Sequence, residues 1–160
     1  MRTSYEKLDA KWKRNGRLSQ NERLNYSIYF CTWLGYLGVA CESFRDLNLR
    51  LLLQKFRPAE FCELVPVVDA IGSKIKKHCD SLRKFRNSVF HLRSDAVDMN
   101  SFLSQTERLE WAKELHEDFK GFFSSYRVMC FVHYVTNERL DETAGWLDKR
   151  KKAAARSDKP

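Results

Sequence analysis

Between Val67 and Phe90 the side chains Ile71, Ile75, Cys79, Leu82, Phe85 and Val89 recur every three or four residues, with no proline among them. An α-helix turns once in about 3.6 residues, so this spacing gathers all of them on one face, which no strand would do. Polar and basic residues fill the rest of the stretch, and an amphipathic helix of some six turns is predicted there. The whole chain has only 6 glycines and 3 prolines in 160 residues, too few for the many turns of a β protein. Its hydrophobic fraction of 43% is enough for one packed core. The expected fold is all-α: an up-and-down bundle of four main helices with short extra helices.

The other helices follow from caps and breakers. Ser19-Gln20-Asn21-Glu22 and Ser104-Gln105-Thr106-Glu107 both fit a capping box, in which serine and glutamate each satisfy a free amide of the first turn. The first predicts a helix from Ser19 to about Lys55, kinked or broken near Gly35 and Gly38, with Phe44, Leu47, Leu51 and Phe56 continuing its apolar stripe. Arg57-Pro58 marks a boundary, because a residue before proline avoids helical geometry. A short helix is predicted from Pro58 to about Leu64, then the motif helix, Val67 to Phe90. Ser94-Asp95 and Asp98 to Asn100 read as connector. The last long helix spans about Gln105 to Thr136, with Leu109, Leu115, Phe119, Phe122, Phe123, Tyr126, Met129 and Val132 as core candidates. A shorter helix is expected to end near Trp146. Residues 1–17 read as an N-terminal arm, 18–147 as the helical domain and 148–160 as a basic tail.

Five cysteines (Cys31, Cys41, Cys62, Cys79, Cys130) form no Cys-x2-Cys pair and fall mostly on apolar stretches. That pattern suits buried thiols in a reducing compartment, so a cytoplasmic location is expected. The N-terminal segment has no apolar core and is not expected to act as a signal peptide. Leu24 to Cys41 is uncharged over nearly the length of a membrane span. It also carries Asn25, Ser27, Thr32, two glycines and three tyrosines. A buried or dimer-facing helix is therefore expected, and no membrane partner. Tyr26, Tyr29, Phe30, Trp33, Tyr36 and Leu37 suit such an interface.

The most informative chemistry lies at the end of the motif helix, in Arg86-Asn87-Ser88-Val89-Phe90-His91. Arginine is a permanently charged planar fork that matches a phosphodiester. Histidine exchanges protons near neutral pH. One can hold a phosphate while the other moves a proton. The surrounding stretch, 74–93, sets Lys74, Lys76, Lys77, Arg83, Lys84, Arg86 and Arg93 against Asp80 alone. Such a basic stripe is the electrostatic footprint of a polyanion-binding face. Lys74, Lys77, Arg83, Lys84 and Arg93 are the candidate RNA-binding residues. Considered as structure alone, Arg86 is an ion-pair residue and His91 a capping histidine at a helix C-terminus. On an ideal helix the two side chains diverge by about 140° in projection. They meet only if the helix ends near Phe90 or a two-fold partner supplies a second pair.

Arg-x4-His with asparagine directly after the arginine, on a basic helix of an all-helical chain, resembles the HEPN superfamily. In that family the motif lies near the end of a helix in an up-and-down bundle, and its members are found in toxins, phage-defence systems and RNA processing. The resemblance implies a homodimer whose two motifs share one cleft. It also implies metal-independent RNA cleavage, in which the 2′-hydroxyl attacks and leaves a 2′,3′-cyclic phosphate, with no cofactor. Arg86 would bind the scissile phosphate, His91 would act as general acid or base, and Asn87 would orient the phosphate or pin the helix end. Glu42, in VACESFRDL, stands where HEPN domains often carry an acidic residue on the preceding helix, and would pair with Arg86. Asp46 is the alternate, and either is also placed to pair with Arg45 or Arg50 on the surface. An antitoxin or other protein inhibitor is an expected partner. A subset of the family extends the motif to Arg-x4-His-x-Tyr, where the tyrosine is modified. This chain has His91-Leu92-Arg93, so modification there is not expected.

A different class of function uses the same basic face without cutting, as an RNA- or protein-binding module. A purely structural subunit is a third. No glycine-rich phosphate loop occurs, and His78, His116 and His133 lack a metal-ligand spacing.

Overall fold

The computed structural model describes residues 1–91 and 97–139. They form an all-α bundle, with no strand among the described residues. In order these are α1 (Arg2–Asn15), α2 (Gln20–Asp46), α3 (Leu49–Lys55), a 3-10 helix (Ala59–Leu64), α4 (Val65–Phe90), α5 (Val97–Leu103) and α6 (Thr106–Thr136). The chain divides into two compact units, Met1–Lys120 and Gly121–Pro160. The division falls within α6, and burial along that helix changes near it. Leu115, Phe119 and Phe122 are buried, whereas Phe123 and Val132 are about half exposed.

Within Met1–Lys120 the most extensive contact is between α2 and α4, with α1 on α2 and α5 on α4. Gly35 faces Phe90 and Gly38 faces Arg86. Positions therefore rise along one helix as they fall along the other, and the pair is antiparallel. Helix α4 forms as its periodicity predicts: Ile71, Ile75, Cys79, Leu82 and Phe85 are all buried. Val89 is only partly so. The first helical turn of α4 accommodates Pro66, whose missing N–H would have no partner there.

Helix α2 runs unbroken through both glycines. They mark close approach, because a Cβ on Gly35 would sit 2.8 Å from the Phe90 ring. The chain breaks later, at Asn48, whose φ of 44° is left-handed, a geometry asparagine tolerates better than most residues. The stripe expected to continue past that break is not buried, since Leu47, Leu51 and Phe56 are exposed.

Ser19 closes the expected capping box: its hydroxyl accepts from the Glu22 amide at 3.3 Å, and the Glu22 carboxylate accepts from the Ser19 amide at 3.0 Å. The second expected box does not form in that register. The Ser104 hydroxyl donates back to the Ser101 carbonyl at 3.0 Å, and α6 starts at Thr106. Asp98 to Asn100, read as connector, belong to α5.

Residues 1–17 are not a plain arm. They carry α1, which ends on Gly16 in the left-handed conformation with its amide bonded to the Trp12 carbonyl, a common helix stop. Tyr5 of α1 is buried against Tyr26, Phe30 and Trp33, at centroid distances of 5.0, 5.0 and 5.7 Å. The aromatic surface of α2 expected at a dimer interface is thus largely covered from within the chain. Leu24, Ile28, Tyr36 and Val39 remain exposed. No helix among the described residues is long and apolar enough to cross a membrane. The helix expected near Trp146, the tail over 148–160 and the Ser94-Asp95 connector lie outside the described residues.

Candidate functional site

Helix α4 carries Arg86 against α2 rather than into solvent. Its Cβ and Cδ lie where a side chain on Gly38 would touch them, at 3.4 and 3.7 Å. Its guanidinium is held on three nitrogens. Nη1 forms an ion pair with Glu42 of α2. Nε and Nη2 both donate to Oδ1 of Asn87, at 3.2 and 2.7 Å. Both charged side chains are largely shielded, at 20% and 31% exposure, so the pair fixes the arginine in place. Of the two acids open to this role, Glu42 takes it; Asp46 lines the neighbouring cleft. Arg50, the surface alternative, pairs with Asp69 at 2.8 Å.

His91 is the C-cap of α4 and is exposed. Its amide still bonds to the Asn87 carbonyl at 3.0 Å, which keeps it in the register of the helix. Among the described residues no hydrogen bond or ion pair joins it to Arg86. Helical projection instead aligns His91 with Lys84 and Lys77, seven and fourteen residues back, within about 40° of one another. One face of α4 therefore presents Lys77, Lys84 and His91, and Arg86 lies toward α2. Beside the motif, Tyr36 and Phe90 form an exposed ring pair with centroids 5.8 Å apart.

The five candidate RNA contacts do not act as one stripe. Lys77 and Lys84 are exposed, and neither forms an ion pair among the described residues. Arg83 is also exposed but leans on Asp80 at 3.6 Å. Lys74 is turned the other way, pairing with Asp118 at 2.6 Å and Glu114 at 3.3 Å on α6. The hydrogen bond to Asp118 holds its ammonium above the ordinary lysine range, and its charge is matched by acids of α6. Arg93 lies outside the described residues.

A cleft of about 260 Å³ opens beside the ion pair, lined by Glu42, Arg45, Asp46, Cys79, Asp80 and Arg83. Arg45 in it donates to the Cys79 sulfur at 3.6 Å, a pairing that sequence spacing does not suggest. Burial pushes the Cys41 thiol up to about 12, which leaves it inert as a nucleophile at neutral pH. Among the described residues no three His, Cys, Asp or Glu side chains gather as a metal site. His116 is occupied structurally, its Nδ1 accepting from the Trp33 indole at 3.2 Å. The close approach of α4 to α2 has a signal in the sequence, since Gly35 and Gly38 are two small residues about one turn apart in an apolar helix.

No family model matches the chain, and no solved structure matches it. A tRNA pseudouridine synthase A from Paraburkholderia phytofirmans is 38% identical over 66 residues, a match taking in 35% of this chain and 24% of that enzyme. The chain thus spans about a quarter of the relative it matches.

Proposed function

We propose that the protein is a metal-independent endoribonuclease of the HEPN type, acting as a toxin or phage-defence effector. The observation that carries this reading is the arginine of the Arg-x4-His motif, fixed by Glu42 and Asn87, on a helix that ends at an exposed His91. Arg86 binds the scissile phosphate. The 2′-oxygen attacks phosphorus as the P–O5′ bond breaks, and His91 either takes the 2′-hydroxyl proton or gives one to the departing 5′-oxygen, so that the products are a 2′,3′-cyclic phosphate and a 5′-hydroxyl. Asn87 fixes the orientation of the guanidinium. Lys77 and Lys84, on the face that His91 shares, steer the RNA backbone, with Arg83 alongside. Because Arg86 and His91 of one chain diverge, the working site is a homodimer in which each cut draws on both motifs. The exposed Tyr36–Phe90 pair next to the motif supplies apolar area for that contact.

The test is cleavage of RNA by wild type, Arg86→Ala and His91→Ala with chelator present. Wild type is expected to cut and leave cyclic-phosphate ends, and His91→Ala to lose about 10²–10⁴ in rate. A strict requirement for a divalent ion, with 3′-hydroxyl products, would overturn the mechanism. Light scattering that finds an active monomer would remove the dimeric site.

A second reading has its own support. Three guanidinium nitrogens of Arg86 already have partners within the chain. A module that binds RNA or a protein through Lys77, Lys84 and His91, without cutting, uses Arg86 only to lock α2 to α4. Its signature is binding by wild type and by Arg86→Ala alike, with no cleavage of any RNA tried.

A further inference from the structure

A second site lies at the other end of α2, where α1 turns into it. A cavity of about 470 Å³ is lined there by Trp12, Arg17, Leu18, Arg23, Tyr26 and Ser27. Its volume falls in the range of about 300–1,000 Å³ typical of small-ligand sites. Trp12 is 49% exposed and stands perpendicular to Tyr26, centroids 5.6 Å apart. Leu18, also in the lining, is buried.

The charge around the cavity is one-sided. Asp9 is paired with Lys13 at 2.7 Å, and Glu22 is paired with Lys11. Glu22 also accepts from the Ser19 amide, and these bonds, that from Lys11 first, hold its carboxyl down to about 2. The nearby acids are therefore occupied. Arg17 and Arg23 are exposed, and neither forms an ion pair among the described residues. Two guanidinium groups without an ion pair among the described residues line one cavity together with an indole. That is the chemistry that recognises a planar base attached to an anionic phosphate, since bases stack on aromatic faces and arginine matches phosphate oxygens. The capping box occupies the Ser19 and Glu22 amides, and the two arginines are the cationic groups that line the cavity.

We infer that this cavity is a nucleotide-binding subsite, which stacks one base on Trp12 and seats the adjoining phosphate on Arg17 and Arg23. It is separate from the Arg86–His91 segment and does not depend on cleavage there. The nucleotide is either a free monophosphate or one residue of a single strand, and the two are separable in one experiment. Fluorescence anisotropy on the full chain uses a labelled 2′-O-methyl hexanucleotide, which has no free 2′-hydroxyl to attack, with nucleoside monophosphates as competitors. Trp12→Ala and the double variant Arg17→Gln/Arg23→Gln are each expected to weaken binding about tenfold or more. Trp12→Phe, which keeps a ring, should stay within about threefold of wild type. Arg50→Gln, at an exposed arginine outside the cavity, should bind as wild type does. Displacement by a monophosphate assigns a free nucleotide; binding of the hexanucleotide alone assigns a residue within a strand. The inference is overturned if neither probe binds, or if the Arg17/Arg23 double variant, folded by circular dichroism, binds as tightly as wild type.

Discussion

Glu42 on α2 and Arg86 on α4, 44 residues apart in sequence, form a shielded ion pair at the crossing of the two helices. The pair couples packing to chemistry. The same guanidinium that locks α4 to α2 is the group the proposed mechanism needs for phosphate. A substrate phosphate must then compete with Glu42 for it, or bind the edge that Asn87 orients.

That competition is measurable. In Glu42→Ala the arginine keeps Asn87 but loses its carboxylate, and RNA affinity should rise if Arg86 is a phosphate ligand. The same change should destabilise the fold by about 1–3 kcal/mol, because a largely shielded charge is left without its partner. Urea unfolding and an RNA titration on one preparation separate the two effects. Lower stability with unchanged affinity would assign Arg86 a structural role only.

The two α2 glycines should respond differently to alanine. At Gly38 the added Cβ would meet Arg86 and Leu82 at 3.4 and 3.5 Å, near ordinary contact. Helix propensity then dominates, and Gly38→Ala should gain up to about 1 kcal/mol. At Gly35 the Cβ would meet Phe90 at 2.8 Å, so the ring must move and the gain should vanish. Urea midpoints for the two variants should therefore differ. Equal gains would show that Phe90 yields without cost.

The lysines of α4 divide into two kinds. Lys77→Ala with Lys84→Ala should weaken RNA binding and lower the slope of log affinity against log salt by about 2, one for each phosphate no longer neutralised. Lys74→Ala should leave that slope alone and lower stability, since Lys74 joins α4 to Asp118 and Glu114. A salt slope unchanged in the Lys77/Lys84 variant would take RNA off this face.

His116 predicts an acid sensitivity. Burial first, then the nearby Arg2 charge, holds its pKa below the ordinary value of 6.5. Glu117 and Glu6 oppose that shift and Lys120 adds to it. The unfolded chain therefore takes up a proton at a higher pH than the folded one. The stabilisation is complete above about pH 6.5 and is lost as the pH falls toward the folded value. Protonated Nδ1 could no longer accept from the Trp33 indole. Melting between pH 7.5 and 5.5 should fall further in wild type than in His116→Gln. Parallel losses in the two would exclude His116 as the cause.

Helix α4 and the cap at Ser19 were legible residue by residue, because both depend on groups three or four positions apart. The Arg86-Asn87…His91 motif stood out as residue types at close spacing, whereas Glu42 was singled out only by what the family resemblance implies, with Asp46 as its alternate. The first helix was not legible, because its stripe is short and polar and its stop rests on the single Gly16. What needed the tertiary structure was the use made of each charge. Lys74 and Lys77 are three residues apart on one basic helix, yet one is neutralised by α6 and the other is open to solvent. Gly35 and Gly38 look like helix breakers until Phe90 and Arg86 are packed against them. Local periodicity decides which face of a helix turns inward. Whether a charge, a glycine or a ring on that helix has a partner depends on segments tens of residues away, and that distance is set only when the helices pack.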